Sequence, residues 1–577
     1  MNIKKILSEN IQKAMIESGI PLEYDVILRK CKKIKFGHYQ VNGIISAAVK
    51  LNKNPKELAI KVRKNINLKN IIKKIEVSSL GFINIFIKKQ WISKQINLLL
   101  NASKLGILNK IKFKNIVIDY SSPNIAKEMH VGHLRSTIIG DSIVRILIFL
   151  GHNVIKVNHI GDWGTQFGML IAFLEFKQQN KKKIFLSDLN QFYKEAQIKY
   201  NKDITFAKKS RKYVVKLQNN DPFCIKIWKK FVQITMNYNY FLYKKLNVLL
   251  TSKNTFGEST YNYMLPKIVL DLKKKGLAIN SNGAIVVPIK KLKNKNGTTM
   301  AIVIQKKDGG YLYATTDIAC IKYRCKILKA DRIIYYVDSR QSQYLQQIFL
   351  IAKKANYVPF HVKLEHHMFG MILNNNNKPF KTRTGENIKL KVLIEESIIR
   401  SKKIILKKNP MIKKNELENL SSVIGISAIK YSELSKNRIT NYIFNWDEML
   451  SLNGNTAPYI QYAYVRAKSI LLKSKINFNN FTTFEINFSS DYEINLAINF
   501  LEFEEVILKV IKNGTPHILC NWLYKITTLF SNFYENCNIL NIKNDLIKIS
   551  RLKIVFTTIK FLKTGLNLLG IKTINKM

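Results

Sequence analysis

The residues best placed to do chemistry are two histidines in the segment His130-Val-Gly-His133. They follow the apolar run Asn115–Asp119, which predicts a buried parallel strand, and they precede 134–150, where apolar residues recur at helical spacing. Open α/β sheets bind nucleotides at such junctions, because backbone N–H groups and the helix dipole converge on anions there. Histidines three positions apart lie on one side of a helical turn, so both can face the same phosphates.

The histidine pair also fits simpler roles. A histidine at a helix start can cap the helix or pack against it, and two histidines three apart can ligate a metal ion. A zinc signature would need a further Cys or carboxylate close by, and the surrounding residues do not complete one. The spacing alone therefore predicts a phosphate-facing helix start and leaves these alternatives open.

Longer motifs carry a more specific resemblance. His-Val-Gly-His resembles the HIGH signature of class I aminoacyl-tRNA synthetases, and further segments resemble arginyl-tRNA synthetases in particular. These segments are Ser122–Asp141, Asn158–Gly168, Gln305–Ala319, Tyr335–Gln341, Glu365–Gly370 and Gly454–Ala463. The resemblance continues to Leu568–Ile571 and so covers essentially the whole chain.

The overall composition is that of a large globular protein. A length of 577 residues allows three or four domains, and 46% hydrophobic residues is an ordinary fraction. No apolar run reaches the ~18–20 residues of a membrane span, and the N-terminus lacks the apolar core of a secretory signal. The six cysteines are scattered without a C-x-x-C pair, which favours reduced thiols in a cytoplasmic protein over disulfides or zinc.

The charge of the chain is strongly basic. Ninety-five Lys and Arg against 38 Asp and Glu give a formal net charge of +57, which is typical of nucleic-acid binding. However, Lys, Asn and Ile are abundant throughout the chain. A genome rich in A and T would enrich these residues because their codons are rich in A and T. We therefore treat most of the charge as compositional background, compatible with tRNA binding and with salt-sensitive, non-specific RNA affinity.

The order of predicted elements indicates an α/β protein with two further domains. Residues 1–110 mix helix and strand, and 111–395 alternate strands and helices as a Rossmann-like parallel sheet requires, with a mostly helical insertion over 165–275. Residues 396–455 are predicted to be a helical connection and 456–577 an all-helical bundle. The resemblance implies that the first module contacts the outer corner of tRNA and that the bundle binds the anticodon; a generic α+β appendage is the alternative for the first.

Individual elements are predicted within these regions. We expect a helix over 2–18, a helix beginning at Pro55, a helix over 134–150 and a loop over 474–491. Strands are expected at 84–87, 115–119, 154–157, 333–337 and 361–364.

The resemblance implies a two-step reaction at the histidine signature. The carboxylate of arginine attacks the α-phosphate of ATP, and a ribose 2′-hydroxyl at the tRNA 3′ end then attacks the adenylate. Such chemistry depends on positioning and on neutralising negative charge. His130 and His133 suit the role of donors to phosphate oxygens, and Gly132 leaves room for an adenine ring. Pro123 and Asn124 complete the predicted ATP site, although a proline is equally a plain turn former.

An arginine substrate requires acidic partners, because a carboxylate matches the planar guanidinium bidentately. The resemblance implies that Asp317 faces the guanidinium, that Tyr313 lines the pocket and that Gln341 completes the contacts. An isolated Asp at a helix start is more usually a cap, and His159 serves equally well as a structural partner. The remaining candidates for the substrate are Asp119, Ser121, Asn124 and His159.

A second class I signature, K-M-S-K, is absent. Lys378-Pro-Phe-Lys-Thr-Arg-Thr-Gly385 takes its place, and Lys381 and Arg383 retain positive charge there. Lys127, just upstream of His130, is a second candidate for neutralising the pyrophosphate, because resembling enzymes without K-M-S-K are thought to use it so. A solvated lysine is the simpler interpretation.

Aromatic residues cluster at the start of the predicted bundle. Tyr459, Gln461 and Tyr462 are weak candidates for tRNA contacts, since aromatic rings stack on unpaired bases. Tyrosines at helical spacing are more often packing residues, so each of them also has a structural interpretation.

The sequence as a whole predicts an arginyl-tRNA synthetase. The expected partners are L-arginine, ATP with Mg²⁺ and tRNA(Arg), for a monomer in the cytoplasm with no structural metal and no membrane contact; by resemblance, activation should require tRNA.

A rival is a tRNA-binding protein of the same fold without catalysis, and intact signature histidines and pocket acids argue against it. A small-molecule nucleotidyltransferase would not need the long helical C-terminal region. Cysteinyl and glutamyl enzymes are disfavoured by the lack of a zinc-type cysteine set and by Tyr313, Asp317 and Gln341.

Overall fold

The chain forms an N-terminal α+β module, a central parallel sheet and a C-terminal helical region. The computed structural model describes residues 2–31, 33–107, 114–179, 189–293, 296–378, 380, 388–476 and 484–577. Within these ranges no helix is both long enough and apolar enough to cross a membrane.

The N-terminal module packs helices against an antiparallel sheet in the order β1-β2-β4-β3. The predicted helix over 2–18 and strand over 84–87 are both present. Pro55 begins α3, and the side chain of Asn54 caps that helix by accepting from two backbone N–H groups. The elements are α1 (Ile3–Glu17), β1 (Leu28–Lys30), β2 (Tyr39–Val41), α2 (Gly43–Lys50), α3 (Pro55–Asn65), β3 (Ile72–Val77), β4 (Ile83–Ile87) and α4 (Lys89–Asn101).

The central sheet has five parallel strands in the order β12-β11-β5-β6-β7. β5 is in the middle, and its residues 116–118 are at most 1% exposed, which explains the uninterrupted apolar run. The predicted strand at 115–119 is confirmed, and those at 154–157, 333–337 and 361–364 overlap β6, β11 and β12. The first elements of this region are β5 (Asn115–Asp119), α5 (Val131–Leu150), β6 (Asn153–Ile160), α6 (Thr165–Gln179), α7 (Leu189–Lys202), α8 (Ile204–Gln218), α9 (Pro222–Lys245) and β7 (Thr255–Gly257).

The prediction of a helical insertion over 165–275 is wrong at its C-terminal end. α6 to α9 are helical, but β7 then returns the chain to the central sheet beside β6. β7 is only three residues long, too short to show a strand pattern in the sequence. The helical insertion therefore ends with α9.

A second departure from the predicted parallel sheet follows β7. Three strands form a separate antiparallel sheet in the order β10-β9-β8, next to the main sheet rather than in it. The remaining elements are α10 (Leu265–Lys274), β8 (Ile279–Ser281), β9 (Ala284–Lys293), β10 (Thr299–Gln305), α11 (Tyr313–Lys326), β11 (Arg332–Tyr335), α12 (Ser342–Lys354), β12 (Lys363–His366) and β13 (Ile372–Leu373).

The rest of the chain is almost entirely helical, as predicted. The expected boundary between 395 and 396 falls inside α13. Between the end of α16 at Ser474 and the start of α17 at Asp491, where a loop is predicted, the described residues form no helix or strand. β14 pairs with β13 in parallel. The elements are α13 (Leu390–Lys408), α14 (Lys414–Leu434), β14 (Tyr442–Ile443), α15 (Trp446–Leu450), α16 (Ala457–Ser474), α17 (Asp491–Phe500), α18 (Phe503–Asn513), α19 (His517–Asn536) and α20 (Asp545–Leu568).

Candidate active site

The chain makes a tightly held turn between β5 and α5. Ser121, Ser122 and Ala126 have φ values of 73°, 49° and 63°, a left-handed conformation that is uncommon for residues with side chains. Each of their backbone N–H groups donates to a distant side chain: Ser136 Oγ at 2.9 Å, Asn158 Oδ1 at 3.0 Å and Thr235 Oγ1 at 3.1 Å. Strained conformations of this kind persist where the surroundings enforce them, and they concentrate at functional sites.

The signature histidines occupy the N-terminus of α5 as neutral donors. His130 Nδ1 accepts from the backbone N–H of Gly132 at 3.0 Å, and His133 Nδ1 accepts from the backbone N–H of His130 at 3.1 Å. Because each Nδ1 is an acceptor, each ring proton is on Nε2, where it can be donated. Burial lowers the pKa of both rings, that of His133 to about 3. Both histidines therefore stay uncharged at neutral pH and can donate to an anion at the helix start.

Gly132 is the glycine that this arrangement requires. A Cβ at this position would lie 2.8 Å from His130 Cε1 and 2.9 Å from His130 Nδ1, so any larger residue would displace the ring. Pro123 is buried, and Asn124 is exposed beside Gly161, where a Cβ would lie 2.4 Å from Asn124 Oδ1. Pro123, Asn124, His130, Gly132 and His133 thus lie in the turn after β5 and at the start of α5, and their contact with ATP stays a prediction.

Acidic side chains collect at the same edge of the sheet. Asp317 accepts a hydrogen bond from the Tyr344 hydroxyl, and its other oxygen lies 3.8 Å from His159 Nε2. Burial raises the pKa of Glu258 to about 8, and the negative charges of Asp317 and Asp162 add to this effect. Burial also raises the pKa of Asp317. Burial therefore disfavours the ionised forms of these acids, and a cationic ligand would stabilise them.

Other predicted substrate contacts are placed around this acidic cluster. The ring of Tyr313 is 60% exposed, and its centroid lies 5.1 Å from that of Tyr344. Gln341 is exposed at the end of a 3-10 turn that leads into α12. Tyr344 contacts both Tyr313 and Asp317, and the roles of Tyr313, Gln341 and Asp317 in substrate binding stay a prediction.

Asp119 and Ser121 are engaged by the protein itself. Asp119 is 4% exposed, and its carboxylate accepts from the buried Arg324 at 2.6 Å and from Ser122 Oγ at 2.8 Å. The Ser121 hydroxyl is hydrogen-bonded to Tyr243 at 2.7 Å and to Thr137 at 2.8 Å. Both residues support the turn, and their direct contact with a substrate stays a prediction.

Known families and relatives match the chain from end to end. Residues 95–446 match the family described as tRNA synthetases class I (R), catalytic domain; residues 1–87 match the arginyl tRNA synthetase N terminal domain, and residues 460–577 match the DALR anticodon binding domain. The chain is 55% identical to an arginine–tRNA ligase of Buchnera aphidicola and 52% identical to one of Pectobacterium carotovorum, with 100% of both chains covered in each case.

A solved structure agrees. The arginyl-tRNA synthetase of Plasmodium falciparum superimposes with a TM-score of 0.85 at 34% identity, over 100% of this chain and 99% of that one. The chain belongs to the arginyl-tRNA synthetase family. The alternative of a fold retained without catalysis is not favoured, because the histidine signature and the acidic cluster are both in place.

The residues that follow the K-M-S-K replacement, from Ile388 onward, lie beside the signature. Val131 donates its backbone N–H to Ile388 O at 2.9 Å, and Leu390 donates to Met129 O at 2.9 Å. Lys381, the predicted cation of this segment, lies outside the described residues, as do Arg383 and Gly385. The chain just after this segment, at Ile388 and Leu390, is therefore held next to the signature.

Of the three weak tRNA candidates, Gln461 is misassigned. It is fully buried, and its amide donates to Ser427 Oγ at 3.1 Å and to Lys572 O at 2.7 Å, so it is committed to packing. Tyr459 is half-buried against Tyr524, with ring centroids 5.8 Å apart. Tyr462 is exposed on the rim of a groove of about 850 Å³, between α13, α14, α16 and the last residues of the chain.

Sequence reasoning missed two residues at the acidic cluster, the acid Glu258 and the hydroxyl donor Tyr344. Glu258 follows β7, inside the region assigned to the helical insertion, and Tyr344 follows Gln341 in the first turn of α12. A signal existed for Glu258, since Phe256-Gly257-Glu258 places an acid directly after a short apolar stretch. Within the described ranges no cluster of His, Cys, Asp and Glu is arranged to hold a metal ion.

Proposed function

We propose that the region of the histidine signature and the acidic cluster, called the cleft below, performs the arginine–tRNA ligase reaction. ATP activates L-arginine, and the arginyl group passes to the 3′-terminal adenosine of tRNA(Arg). The observation that supports this assignment best is a pair of buried acids, Asp317 and Glu258, whose ionised forms lack a cationic partner strong enough to offset burial, on the same sheet as a helix start that presents neutral donors. A cationic amino acid and an anionic nucleotide would each meet complementary groups there.

ATP is proposed to bind along the start of α5. His130 and His133 donate their Nε2–H groups to phosphate oxygens, and the helix dipole favours the same negative charge. Pro123, Asn124 and Gly132 shape the surface for the nucleoside. Mg²⁺ arrives with ATP, because this ion binds substrate phosphates and water more readily than a dedicated protein cage. Lys127 and Lys381 are the proposed cations for the leaving pyrophosphate.

Arginine is proposed to place its guanidinium between Asp317 and Glu258. A guanidinium offers planar donors that two carboxylates can share, and its positive charge would lower the pKa of Glu258, which burial and the charges of Asp317 and Asp162 raise to about 8. Tyr313 and Gln341 close the opening, and Asn124, His159 and the Asp119–Ser121 turn position the amino-acid end. A shorter or differently shaped cation would leave these acids unpaired, which gives the site its selectivity.

The tRNA is proposed to lie across the helical region. The groove beside Tyr462 has basic and apolar walls, including Lys408, Lys468 and Met577, which suit the phosphates and unstacked bases of an anticodon loop. Tyr459 is a weaker candidate at the edge of this region. Gln461 is left out of the proposal because it is buried.

The domain division and cellular setting are proposed on the same basis. We assign 1–110 to the N-terminal tRNA-contacting domain, 111–395 to catalysis, 396–455 to the helical connection and 456–577 to anticodon binding. The catalytic family match extends through most of the connection, to residue 446. We propose a cytoplasmic monomer, for which scattered free cysteines are suitable.

The test is ATP–pyrophosphate exchange with arginine, measured with and without tRNA(Arg). Exchange that depends on arginine, and that rises when tRNA is added, supports the assignment. His130→Ala should remove at least ~100-fold of kcat while tRNA binding persists, because a donor to transition-state charge is lost. Exchange with another amino acid in place of arginine would refute the proposed substrate.

A further inference from the structure

The helical insertion contacts three consecutive residues just upstream of the signature. On α9, Thr235 accepts the backbone N–H of Ala126 at 3.1 Å, and the carboxylate of Glu128 helps burial to raise the pKa of Tyr238 to about 12. Between these contacts, Lys127 Nζ lies over the ring of Tyr193 on α7, 4.8 Å from its centroid. The insertion therefore holds the segment that carries a proposed phosphate-facing cation.

Lys127 contacts an aromatic ring, whereas the neighbouring cations Lys389 and Arg340 are paired with carboxylates. Lys389, beside His130 in the backbone bridge, is ion-paired with Glu128, and the guanidinium of Arg340 is paired with Asp338 at 2.9 Å. Among the described residues, by contrast, no carboxylate oxygen lies within 4.0 Å of Lys127 Nζ. A ring face attracts an ammonium group through its quadrupole and leaves the positive charge in place.

The ring of Tyr193 is itself well supported. It is half-buried against the apolar core of the insertion, next to the buried Phe192. Its hydroxyl has only a long contact, 3.4 Å, to Gln197 on the same helix. The ring face, rather than the hydroxyl, is thus the part of Tyr193 that can orient the lysine.

We propose that Tyr193 is a positioning residue for the aminoacylation reaction, which holds Lys127 at the phosphate site without cancelling its charge. This inference rests on the proposed role of Lys127 at the pyrophosphate. It gives the helical insertion a part in activation: an exposed lysine on a strained turn samples many rotamers, and the ring selects those that the reaction uses.

The first test compares variants at 193 with a matched tyrosine on the same helix. Tyr200 lies two helical turns from Tyr193 and packs on the same core. Tyr193→Leu should lower kcat of arginine-dependent exchange roughly 3- to 30-fold, the range of a lost cation–π contact, with little change in KM for ATP. Tyr193→Phe should keep most of the activity, and Tyr200→Leu should match the wild type. Equal losses in Tyr193→Phe and Tyr193→Leu would overturn the proposal.

A double-mutant cycle separates this inference from the proposed function. In a Lys127→Met background, Tyr193→Leu should cause no further loss of kcat. If Lys127→Met impairs exchange while Tyr193→Leu does not, the positioning role of Tyr193 is refuted, and the proposed role of Lys127 at the pyrophosphate is retained. If Lys127→Met has no effect, the role of the lysine fails, and the positioning role with it.

A third measurement does not depend on how well a leucine variant folds. Fluorinated phenylalanines at position 193 keep the size of the ring and progressively weaken its negative face. Log kcat should fall in step with the number of fluorine atoms, while the thermal midpoint stays constant. A flat series would overturn the proposal.

Discussion

The acidic cluster in the cleft and the ion pair under the signature helix hold buried charge in opposite ways. Under the helix, Arg135 on α5 meets Glu433 on α14 at 3.0 Å, with both side chains 1% exposed. Arg135 also donates to the carbonyl of Gly370 at 2.8 Å, and Glu433 accepts from the Tyr442 hydroxyl. In the cleft, burial raises the pKa of both Asp317 and Glu258, and the negative charge of Asp317 adds to the effect at Glu258.

The difference separates a charge that stabilises the fold from a charge that binds a ligand. A paired buried charge is already compensated, so its loss is felt in folding. An uncompensated acid destabilises the free protein slightly and gains its partner only when a cation binds. Substitutions in the two regions should therefore move stability in opposite directions.

The largest effect is expected from Glu433→Ala. It leaves Arg135 buried without its counter-charge and should lower the free energy of unfolding by about 3–5 kcal/mol. Urea unfolding followed by circular dichroism measures the difference. The matched surface control is Glu395→Ala, whose partner Lys391 lies 3.9 Å away with both side chains nearly half exposed, and it should cost at most about 1 kcal/mol. Equal losses would contradict the distinction.

Asp317→Asn should affect binding rather than folding. Removing one acid from a buried charge pair with the guanidinium should lower kcat/KM for arginine by roughly 30- to 5,000-fold, equivalent to about 2–5 kcal/mol. Stability of the free enzyme should stay the same or rise. Asp271→Asn is a control, because Asp271 also accepts from a tyrosine hydroxyl, that of Tyr357, but lies on α10 outside the cluster. A destabilised Asp317→Asn protein with normal kcat/KM would make Asp317 a structural acid.

The pH dependence of arginine binding should follow Glu258. Its pKa of about 8 means that it is protonated in the free enzyme at neutral pH, and a guanidinium favours the ionised form. Arginine affinity should therefore rise by up to ~10-fold per pH unit as pH approaches 8, then level off. The folding stability of the free protein should change in the opposite direction. The contribution of Glu258 to that stability is complete below the ordinary pKa of Glu and is lost as pH rises through about 8.

Calorimetry in buffers of different ionisation enthalpy measures this linkage as proton release on arginine binding. Glu258→Gln should remove the release and flatten the pH profile. His133 cannot be its source, because burial holds the pKa of that ring at about 3. Binding without proton release at pH 7 would rule out a role for Glu258 as the titrating acid.

The smallest effect is expected from Gly132→Ala. The added methyl would push the His130 ring from its position, and kcat should fall by about 10-fold while stability changes by less than ~1 kcal/mol. Steady-state exchange measures the change in kcat, and a thermal melt measures the change in stability. Unchanged kcat would mean that the ring adapts without losing its alignment.

Local sequence patterns predict one part of this molecule well. The apolar run of β5, the helix after it and the proline at the start of α3 depend on nearby residues, so their positions follow from short segments. The signature histidines and Asp317 were also found from contiguous motifs, and their roles stay predictions. β7 was missed because a three-residue strand carries no detectable period, and the separate antiparallel sheet was missed because sheet membership depends on distant partners.

The sequence by itself determined the family, the histidine signature and the acid expected for the guanidinium. Only the tertiary structure decided that Glu258 joins Asp317, that Gln461 is buried and that Lys127 rests on a ring from the insertion. The physical reason is range: helix starts and buried strands follow from neighbouring residues, whereas the surroundings of a side chain depend on which elements pack against it. In the cleft, those surroundings determine whether a charge is paired within the fold or available to a ligand.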